Sequence, residues 1–455
     1  MEMVLEFLRD VLSQPALLIG IMSCIGLIAL KRPFHKVMTG TLKPILGYLM
    51  LAAGAGVIVS NLDPLGKMIE HGFHITGVVP NNEAIVAVAQ KVLGVETMSI
   101  LVVGLLMNLC IARFTKFKYV FLTGHHSLFM ACLMSAVLGT AGLSGMELIL
   151  VGGFLMGAWS AISPAIGQSY TSKVTDGDEI AIGHFGSLGY YLSAWVAKYV
   201  GKADDSTEDI EIPEKWGFLR DSTLSTALTM IVFYLIAAIA AGSEFVSTLS
   251  GDMSPYLYAV MSAMNFAVGV TIVYSGVRMI LGDLIPAFQG IATKIIPNAI
   301  PAVDCAVFFT YAPTAVVLGF ISSFIGGIIG MLILGAVGGV LIIPGLVPHF
   351  FCGATAGIYG NATGGRRGAA VGAFLNGLAI TFLPAMALPV LGQLGFQNTT
   401  FGDADFAVMG LVLGHAFEWI GMAGIYGIVA IAALVLIIPN FIKTKGKVIN
   451  YVEEE

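Results

Sequence analysis

The chain has 455 residues, of which 57% are hydrophobic and only 11% are charged; its net charge is -6 and its mean hydropathy is +0.90. Soluble domains carry about 25% charged residues, so the composition excludes an ordinary soluble protein and indicates a polytopic membrane protein. The small net charge is spread over the predicted loops, which gives no reason to expect nucleic-acid binding. The 56 glycines are typical of closely packed transmembrane helices.

The first residues, MEMVLEFLRDVLSQ, lack the basic start and the cleavage site of a signal peptide. We therefore expect the first apolar segment to remain as a helix. The cysteines stand singly in apolar segments and form no CxxC pair. Neither a disulfide framework nor a zinc site is predicted, and we expect no cofactor.

Apolar stretches of membrane-spanning length recur along the whole chain. A span needs about 20 mostly apolar residues, and by this measure we predict an all-α protein with about eleven transmembrane helices. The predicted spans are residues 14–30, 42–60, 96–113, 119–139, 147–170, 224–243, 256–277, 313–333, 335–359, 369–391 and 422–442.

Lysine and arginine are distributed unevenly between the predicted loops, and they collect on cytoplasmic loops in membrane proteins. Basic clusters follow the first, third, fifth, ninth and last spans, whereas the loop 396–406 contains none. This predicts that the N-terminus and the loop 396–406 lie outside the cell and that the C-terminus lies in the cytoplasm. Lys67 and Lys91 are isolated exceptions.

The segment 201–223 is the only long hydrophilic stretch between spans, and we predict it to be a cytoplasmic linker. It is too short for a catalytic domain. The chain also contains no G-x-x-x-x-G-K-[ST] motif, so no P-loop ATPase is expected.

Polar and ionisable residues interrupt four otherwise apolar segments. Such groups are costly at membrane depth and usually face a cavity or a partner. Asp304 is the clearest candidate, because Pro301 and Pro313 on either side hinder a continuous helix; its structural alternative is an ion pair with Arg278 or Lys294. The candidates are Asn82, Glu83, His125, His126, His184 and Asp304.

The two adjacent histidines are not expected to act alike. Successive residues lie about 100° apart around a helix, so both rings should not point into one pocket, and we favour His125 over His126. His184 could instead be an interfacial histidine bonded to backbone. Glu83 could lie near a helix N-terminus, where a carboxylate is favoured.

The second half of the chain contains a similar series of polar residues. Glu83 pairs with Asp304 in sequence spacing, His125 with His349, and His184 with His415, which has Glu418 nearby. Each half would hold five spans, and an odd number inverts the second copy in the membrane. The predicted units are a first half (1–200), the linker (201–223), a second half (224–421), and a final helix with a cytoplasmic tail (422–455).

At these polar segments the chain resembles the ascorbate-type membrane component, EIIC, of the bacterial phosphoenolpyruvate-dependent phosphotransferase system, in the AG superfamily. The resemblance extends over nearly the whole chain. The stretches that carry it are LTGHH, VTDGDEIAIGHF, STEDIEIP, GVRMILGDLIPAFQGI, IPAVDCAVFFTYAPTAVVLGF and IIPGLVPHFFCGATAGI.

The resemblance implies an architecture and a division of labour. Members are homodimers in the bacterial cytoplasmic (inner) membrane, with a V-shaped domain, an elevator-like core domain, broken or re-entrant helices, and inverted five-span repeats plus a final helix. EIIC binds L-ascorbate or a related sugar acid and carries it inward. A separate EIIB, supplied by EIIA, then phosphorylates it from a phosphocysteine, so this chain should carry no catalytic phosphocarrier residue.

The resemblance also implies site residues. Asp304, His125 and His184 match the family's substrate-binding positions, and Asn82 with Glu83 falls at its polar pair. The remaining positions, Phe129 and Phe185, are glutamines in well-known ascorbate members. Two amide groups are therefore missing, for which Glu83, His126 or Gln168 could compensate, or the substrate is another sugar acid or a pentose-like compound.

Asp304 would accept hydrogen bonds from substrate hydroxyls and could serve as a general base during phosphoryl transfer. The rival hypothesis is an ion-coupled secondary transporter of a polar metabolite. Such a transporter would use Glu83 or Asp304 as its proton site.

Overall fold

The structure is a computed structural model that describes residues 11, 14–74, 77–78, 80, 82–177, 179–210, 222–392 and 400–441. Within these residues the chain forms thirteen α-helices and three short strands. The helices are α1 Pro15–Ala29, α2 Phe34–Gly72, α3 Asn82–Phe114, α4 Gly124–Thr140, α5 Gly145–Thr175, α6 Ser187–Val200, α7 Ser222–Ala241, α8 Ser243–Ser250, α9 Pro255–Lys294, α10 Pro313–Ala336, α11 Leu346–Gly392, α12 Ala404–Ile420 and α13 Met422–Ile437. Short 3-10 helices occupy Thr207–Asp209, Cys305–Thr310 and Ile438–Phe441.

The helices confirm a polytopic membrane protein built mainly of α-helix. Seven of the described helices are long and apolar enough to cross a membrane, or eight if α7 and α8, bent by 117°, form one span. The number eleven therefore stays a prediction. Two predicted spans, 335–359 and 369–391, lie mostly within one long helix, α11, which breaks at Gly365 with φ 59° and ψ -151°.

A three-stranded parallel sheet was not predicted. β1 (Tyr119–Phe121) and β2 (Ala181–Ile182) both pair with the central strand β3 (Ile300–Val303). The predicted span 119–139 is consequently a strand followed by α4, rather than one helix. Non-helical backbone at membrane depth must be satisfied within the protein or line a cavity, and all nine strand residues are buried.

The sheet brings together the three chain segments that directly follow its strands. β1 runs into the start of α4, β2 into the turn before α6, and β3 into the 3-10 helix Cys305–Thr310. The backbone bond from Leu122 N–H to Ala302 O (2.9 Å) and that from Gly183 N–H to Val303 O (2.7 Å) extend the ladders at this end. Because the strands are parallel, the residues that follow them meet at one edge of the sheet.

A first group of helices packs through α2 and α9, with α1 and α7 alongside. Glycines allow the backbones of α2 and α9 to touch. A Cβ on Gly54 would lie 2.7 Å from Gly269 O, and one on Gly276 would lie 2.6 Å from Gly47 O. Small residues of this kind are the usual means of close helix packing in membranes.

A second group surrounds the sheet. α11 packs on α10 and α6, while α3 packs on α4 and α5. Glycines again allow the helix backbones to lie close together: a Cβ on Gly357 of α11 would lie 2.6 Å from Ala315 O of α10. The sheet is thus enclosed by helices from both halves of the sequence.

The first part of the predicted linker, residues 201–210, is docked on the helices rather than loose. The Glu208 carboxylate accepts hydrogen bonds from Thr314 N–H (3.0 Å) and Ala315 N–H (3.1 Å) at the start of α10. Arg366, beside the break in α11, donates from Nε to Ser206 O at 3.0 Å. Residues 211–221 of the linker and the tail 442–455 lie outside the described residues.

The end of the loop 396–406, which we predicted to lie outside the cell, is buried rather than exposed. Thr400 to Phe406 are all buried, and the carboxylates of Asp403 and Asp405 accept hydrogen bonds inside the protein. The basic-residue pattern does not reveal this burial, because a segment without lysine or arginine can be either an outer loop or protein interior. Residues 396–399 of that loop lie outside the described residues.

A second parallel pairing links the two halves. Val78 forms an isolated bridge with Ile342, with Val78 N–H donating to Leu341 O and Ile343 N–H donating to Val78 O, each at 2.9 Å. It precedes α3, much as β3 precedes the 3-10 helix and α10.

Candidate functional site

A cavity of about 1190 Å³ lies between α2 and the carboxyl end of the sheet. Apolar residues of α2, α7 and α10 form much of its wall, and polar groups concentrate where the three strands end. Ligand sites are typically concave and apolar with a few convergent polar groups. The polar lining at this end comprises Tyr48, Asn82, His125, His126, His184, Asp304, Cys305 and Asp403.

Asp304 directly follows β3 and lies at the base of the cavity. Its Oδ1 accepts a hydrogen bond from Ala306 N–H at 3.1 Å, which caps the following 3-10 helix. Its Oδ2 lies 3.4 Å from His125 Nε2. In the described part of the chain no ion pair joins Asp304 to Arg278 or Lys294, both of which are exposed.

His125 connects that carboxylate to α2. Its Nδ1 lies 3.3 Å from the Tyr48 hydroxyl, and its Nε2 faces Asp304. The His125 side chain is 37% exposed, whereas that of Asp304 is 8% exposed. His125 is therefore the more accessible of the two from the cavity.

His126 and His184 lie deeper and contact each other. Their ring centroids are 3.8 Å apart, and both side chains are buried. Both histidines line the cavity together with His125, so the prediction that the adjacent rings would point apart is wrong. α4 begins at Gly124, so both histidines lie in the first turn of this helix.

Asp403 is a cavity residue that the sequence reasoning missed. Its Oδ2 accepts a hydrogen bond from Asn82 Nδ2 at 2.6 Å, and its Oδ1 accepts one from the Cys352 thiol at 2.9 Å. Asn82 Oδ1 in turn accepts from Gly402 N–H at 2.9 Å. The signal available in the sequence was FGDADF, two carboxylates between phenylalanines with no basic residue nearby.

Asp405 supports the site from behind. Its carboxylate accepts hydrogen bonds from Ser187 Oγ (2.8 Å), Leu188 N–H (2.9 Å) and Trp159 Nε1 (3.2 Å). Its own N–H donates to Phe185 O at 2.9 Å. These bonds fix the start of α6 and hence the turn that carries His184.

The two phenylalanines at expected glutamine positions are placed differently. Phe129 lines the cavity. Phe185 is fully buried behind it, where its ring stacks on Phe121 at a centroid distance of 4.6 Å. The structure thus brings Asn82, His125, Phe129, His184 and Asp304 to one cavity. Phe185 does not line it, but its N–H donates to His126 Nδ1; the side chain of Glu83 is not described.

The other polar candidates lie elsewhere. His349 is buried in the core, where its Nδ1 bonds Ser323 Oγ at 2.9 Å. His415 is half-buried, and its Nδ1 lies 2.8 Å from the Glu418 carboxylate. Gln168 Nε2 donates to Ile180 O at 3.1 Å, so this amide supports β2. None of the three lines the cavity.

At the strand end of the cavity, the carboxylates of Asp304 and Asp403 lie with three imidazoles; Asp63, Lys67 and Glu70 of α2 line it elsewhere. Carboxylate oxygens accept hydrogen bonds from hydroxyl groups, and a neutral imidazole offers one donor and one acceptor. This set suits a small polyhydroxylated ligand.

Comparison with known proteins agrees with this geometry. The model of the EIIC-GAT family, described as the PTS system sugar-specific permease component, matches residues 10–405. The ascorbate-specific PTS system EIIC component of Mycoplasma pneumoniae is 27% identical over 424 residues, which cover 80% of this chain and 63% of that protein. The chain therefore spans less than two thirds of that relative's length. Because the family model covers most of its residues, the chain belongs to the PTS system sugar-specific permease family.

Proposed function

We propose that this protein is an EIIC permease that binds L-ascorbate or a related sugar acid in the strand-end cavity and moves it inward for phosphorylation by a separate EIIB. The observation that carries the proposal is the convergence of His125, His184 and Asp304, each just beyond one of three parallel strands. The three residues lie far apart in the sequence, and the parallel pairing of the strands brings them together. Membership of the family and the ascorbate-specific relative support this function.

The cavity chemistry supports a polar substrate with both donors and acceptors. Asp304 and Asp403 would accept hydrogen bonds from hydroxyls, and the histidines would donate to carbonyl or ring oxygens. Asp403 and His126 compensate for the amide groups replaced by Phe129 and Phe185. Buried polar contacts of this kind discriminate strongly between polar ligands.

An elevator-type movement is supported by the way the helices pack. The group of α1, α2, α7 and α9 contributes apolar wall, Tyr48 and the charged residues Asp63, Lys67 and Glu70 of α2. The three histidines, Asp304 and Asp403 belong to the group around the sheet. A shift of the second group against the first would carry these residues together. We assign the first group to the V-shaped domain and the second to the core domain, and we propose that two protomers form a homodimer.

Inverted repeats are supported by the paired strands of the two halves. In the sheet, Ile300 of the second half leads into the site and pairs with Tyr119 of the first half. In the isolated bridge, Val78 of the first half leads into α3 and pairs with Ile342 of the second half. In this arrangement Asn82, rather than its neighbour Glu83, corresponds to Asp304. We propose repeats within 1–200 and 224–421 and a final helix after them, with the N-terminus outside and the linker and C-terminus in the cytoplasm.

The test is the chemical form of the internalised substrate. Cells expressing this chain with EIIB should accumulate radiolabelled L-ascorbate as a phosphate ester, and cells without EIIB should not. The purified chain should form no ester from phosphoenolpyruvate or ATP. Free substrate accumulated on a proton gradient would instead establish the ion-coupled transporter.

A further inference from the structure

One hydrogen bond joins the two groups of helices at the cavity. The Tyr48 hydroxyl of α2, in the first group, lies 3.3 Å from Nδ1 of His125 on α4, in the group around the sheet. The other side-chain bonds of the first group, such as that from the Tyr234 hydroxyl to Asn61 O, stay within it. Between described residues, the bond of Tyr48 to His125 is therefore the one side-chain hydrogen bond across this boundary.

Tyr48 is held firmly in the first group by the residue before it. A Cβ on Gly47 would lie 2.9 Å from Gly276 O, so the backbones of α2 and α9 touch at this point. The Tyr48 side chain is itself buried. The hydroxyl therefore keeps its position relative to α2 and α9, and it cannot follow α4 if the second group shifts.

The hydrogen-bonding roles follow from the other side of the His125 ring. His125 Nε2 lies 3.4 Å from Asp304 Oδ2, and an ionised carboxylate can only accept. In the neutral ring the proton then lies on Nε2, and Nδ1 accepts from the Tyr48 hydroxyl. Because Nδ1 has a single lone pair, it accepts one hydrogen bond at a time. A substrate group that bonds this nitrogen must displace Tyr48.

These observations give Tyr48 a role in movement rather than in binding. Resting on the proposed function and its shift of one helix group against the other, we propose that Tyr48 is a positioning residue that holds the empty carrier in this conformation. The bond exists only while α4 lies beside this turn of α2, so the shift breaks it. Substrate that occupies His125 Nδ1 also breaks it, and the loaded carrier is then released to move.

Tyr48→Phe tests this role because it keeps the ring and removes only the hydroxyl. A hydrogen bond inside a protein contributes about 0.5–1.5 kcal/mol, and only the resting state contains this one. Without ligand, the ratio of shifted to resting protein should therefore rise about two- to tenfold. If Tyr48 served only to pack its ring, the ratio would not change.

The ratio is measured by double electron–electron resonance between one spin label in each group of helices. Cys110 of α3 is exposed and carries the label of the second group, while Phe34→Cys, at an exposed position of α2, carries the other. Cys24 is half-buried and is replaced by serine, and the remaining cysteines are buried. Tyr256→Phe is the matched control, because Tyr256 is exposed on α9 and does not line the cavity. It should leave the distances unchanged.

A double-mutant cycle assigns the effect to the bond itself. His125→Leu removes the acceptor, so adding Tyr48→Phe to this variant should change the ratio no further. A second shift of equal size in that background would show that Tyr48 acts through another contact, and it would overturn the proposal.

The outcomes separate this proposal from the proposed function. If Tyr48→Phe gains no second distance while the parent gains one with L-ascorbate, the role of Tyr48 is wrong and the movement stands. If neither protein shows a second distance under any condition, the movement and the role of Tyr48 both fail. If Tyr48→Phe gains a second distance but the parent binds no L-ascorbate, the ascorbate assignment fails and the role of Tyr48 stands.

Discussion

Asp304→Asn should separate a binding role from a structural one. The Asn oxygen can still accept from Ala306 N–H, so the cap on the 3-10 helix survives. What is lost is the charged acceptor beside His125 Nε2, at 3.4 Å in a side chain that is 8% exposed. Losing a charged hydrogen-bond partner costs about 1.5–3 kcal/mol, which is roughly a ten- to hundredfold loss of affinity.

The assay is binding of radiolabelled L-ascorbate to purified protein, together with elution of the variant at the same volume as the parent protein in size-exclusion chromatography. Asp283→Asn is the matched control, because Asp283 pairs with Lys43 at 3.6 Å outside the cavity. It should bind like the parent. If Asp304→Asn elutes like the parent protein and keeps its affinity, Asp304 is not a substrate residue, and the placement of the site at the strand ends is wrong.

Three further predictions concern folding and topology. Gly54→Val should reduce the yield of folded protein in size-exclusion chromatography, since its Cβ would lie 2.7 Å from Gly269 O, whereas Gly56→Val, with open space around it, should not; equal yields would contradict the packing of α2 on α9. Glu208→Ala should lower the thermal midpoint by removing the cap of α10, a loss of about 1 kcal/mol, while the exposed control Asp204→Ala should leave it unchanged. Ser206→Cys should react with a membrane-impermeant thiol reagent only in inside-out vesicles, and labelling in intact cells would refute a cytoplasmic linker.

Much of the architecture could be predicted from the sequence because hydropathy is a local property. The long apolar runs that form α2, α5, α9 and α10 were found with bounds inside or near the observed ones. The short helices α6 and α12 were missed because their apolar stretches are interrupted by polar groups or glycine.

The sheet could not be predicted by the same means. β1 has three residues and β2 has two, which is too short for any alternation of polar and apolar positions. Their pairing with Ile300–Val303 depends on residues over 100 positions away in the chain. Only the flanking prolines indicated that this region was not helical.

The site was predictable where a residue type was out of place. His125, His184 and Asp304 are ionisable groups between apolar neighbours, and the cavity contains all three. Asp403 was assigned to an outer loop because basic-residue counting carries no information about burial. His126 was judged less suited to the site than His125 because successive residues point about 100° apart around a helix. In the first turn of α4, both rings nevertheless line the cavity.

The most direct test is a cryo-electron microscopy structure of the detergent-solubilised protein with saturating L-ascorbate. The account predicts ligand density at the carboxyl ends of β1, β2 and β3, in contact with His125, His184 and Asp304. Density at another position, or an empty cavity under conditions in which binding is measured, would contradict it.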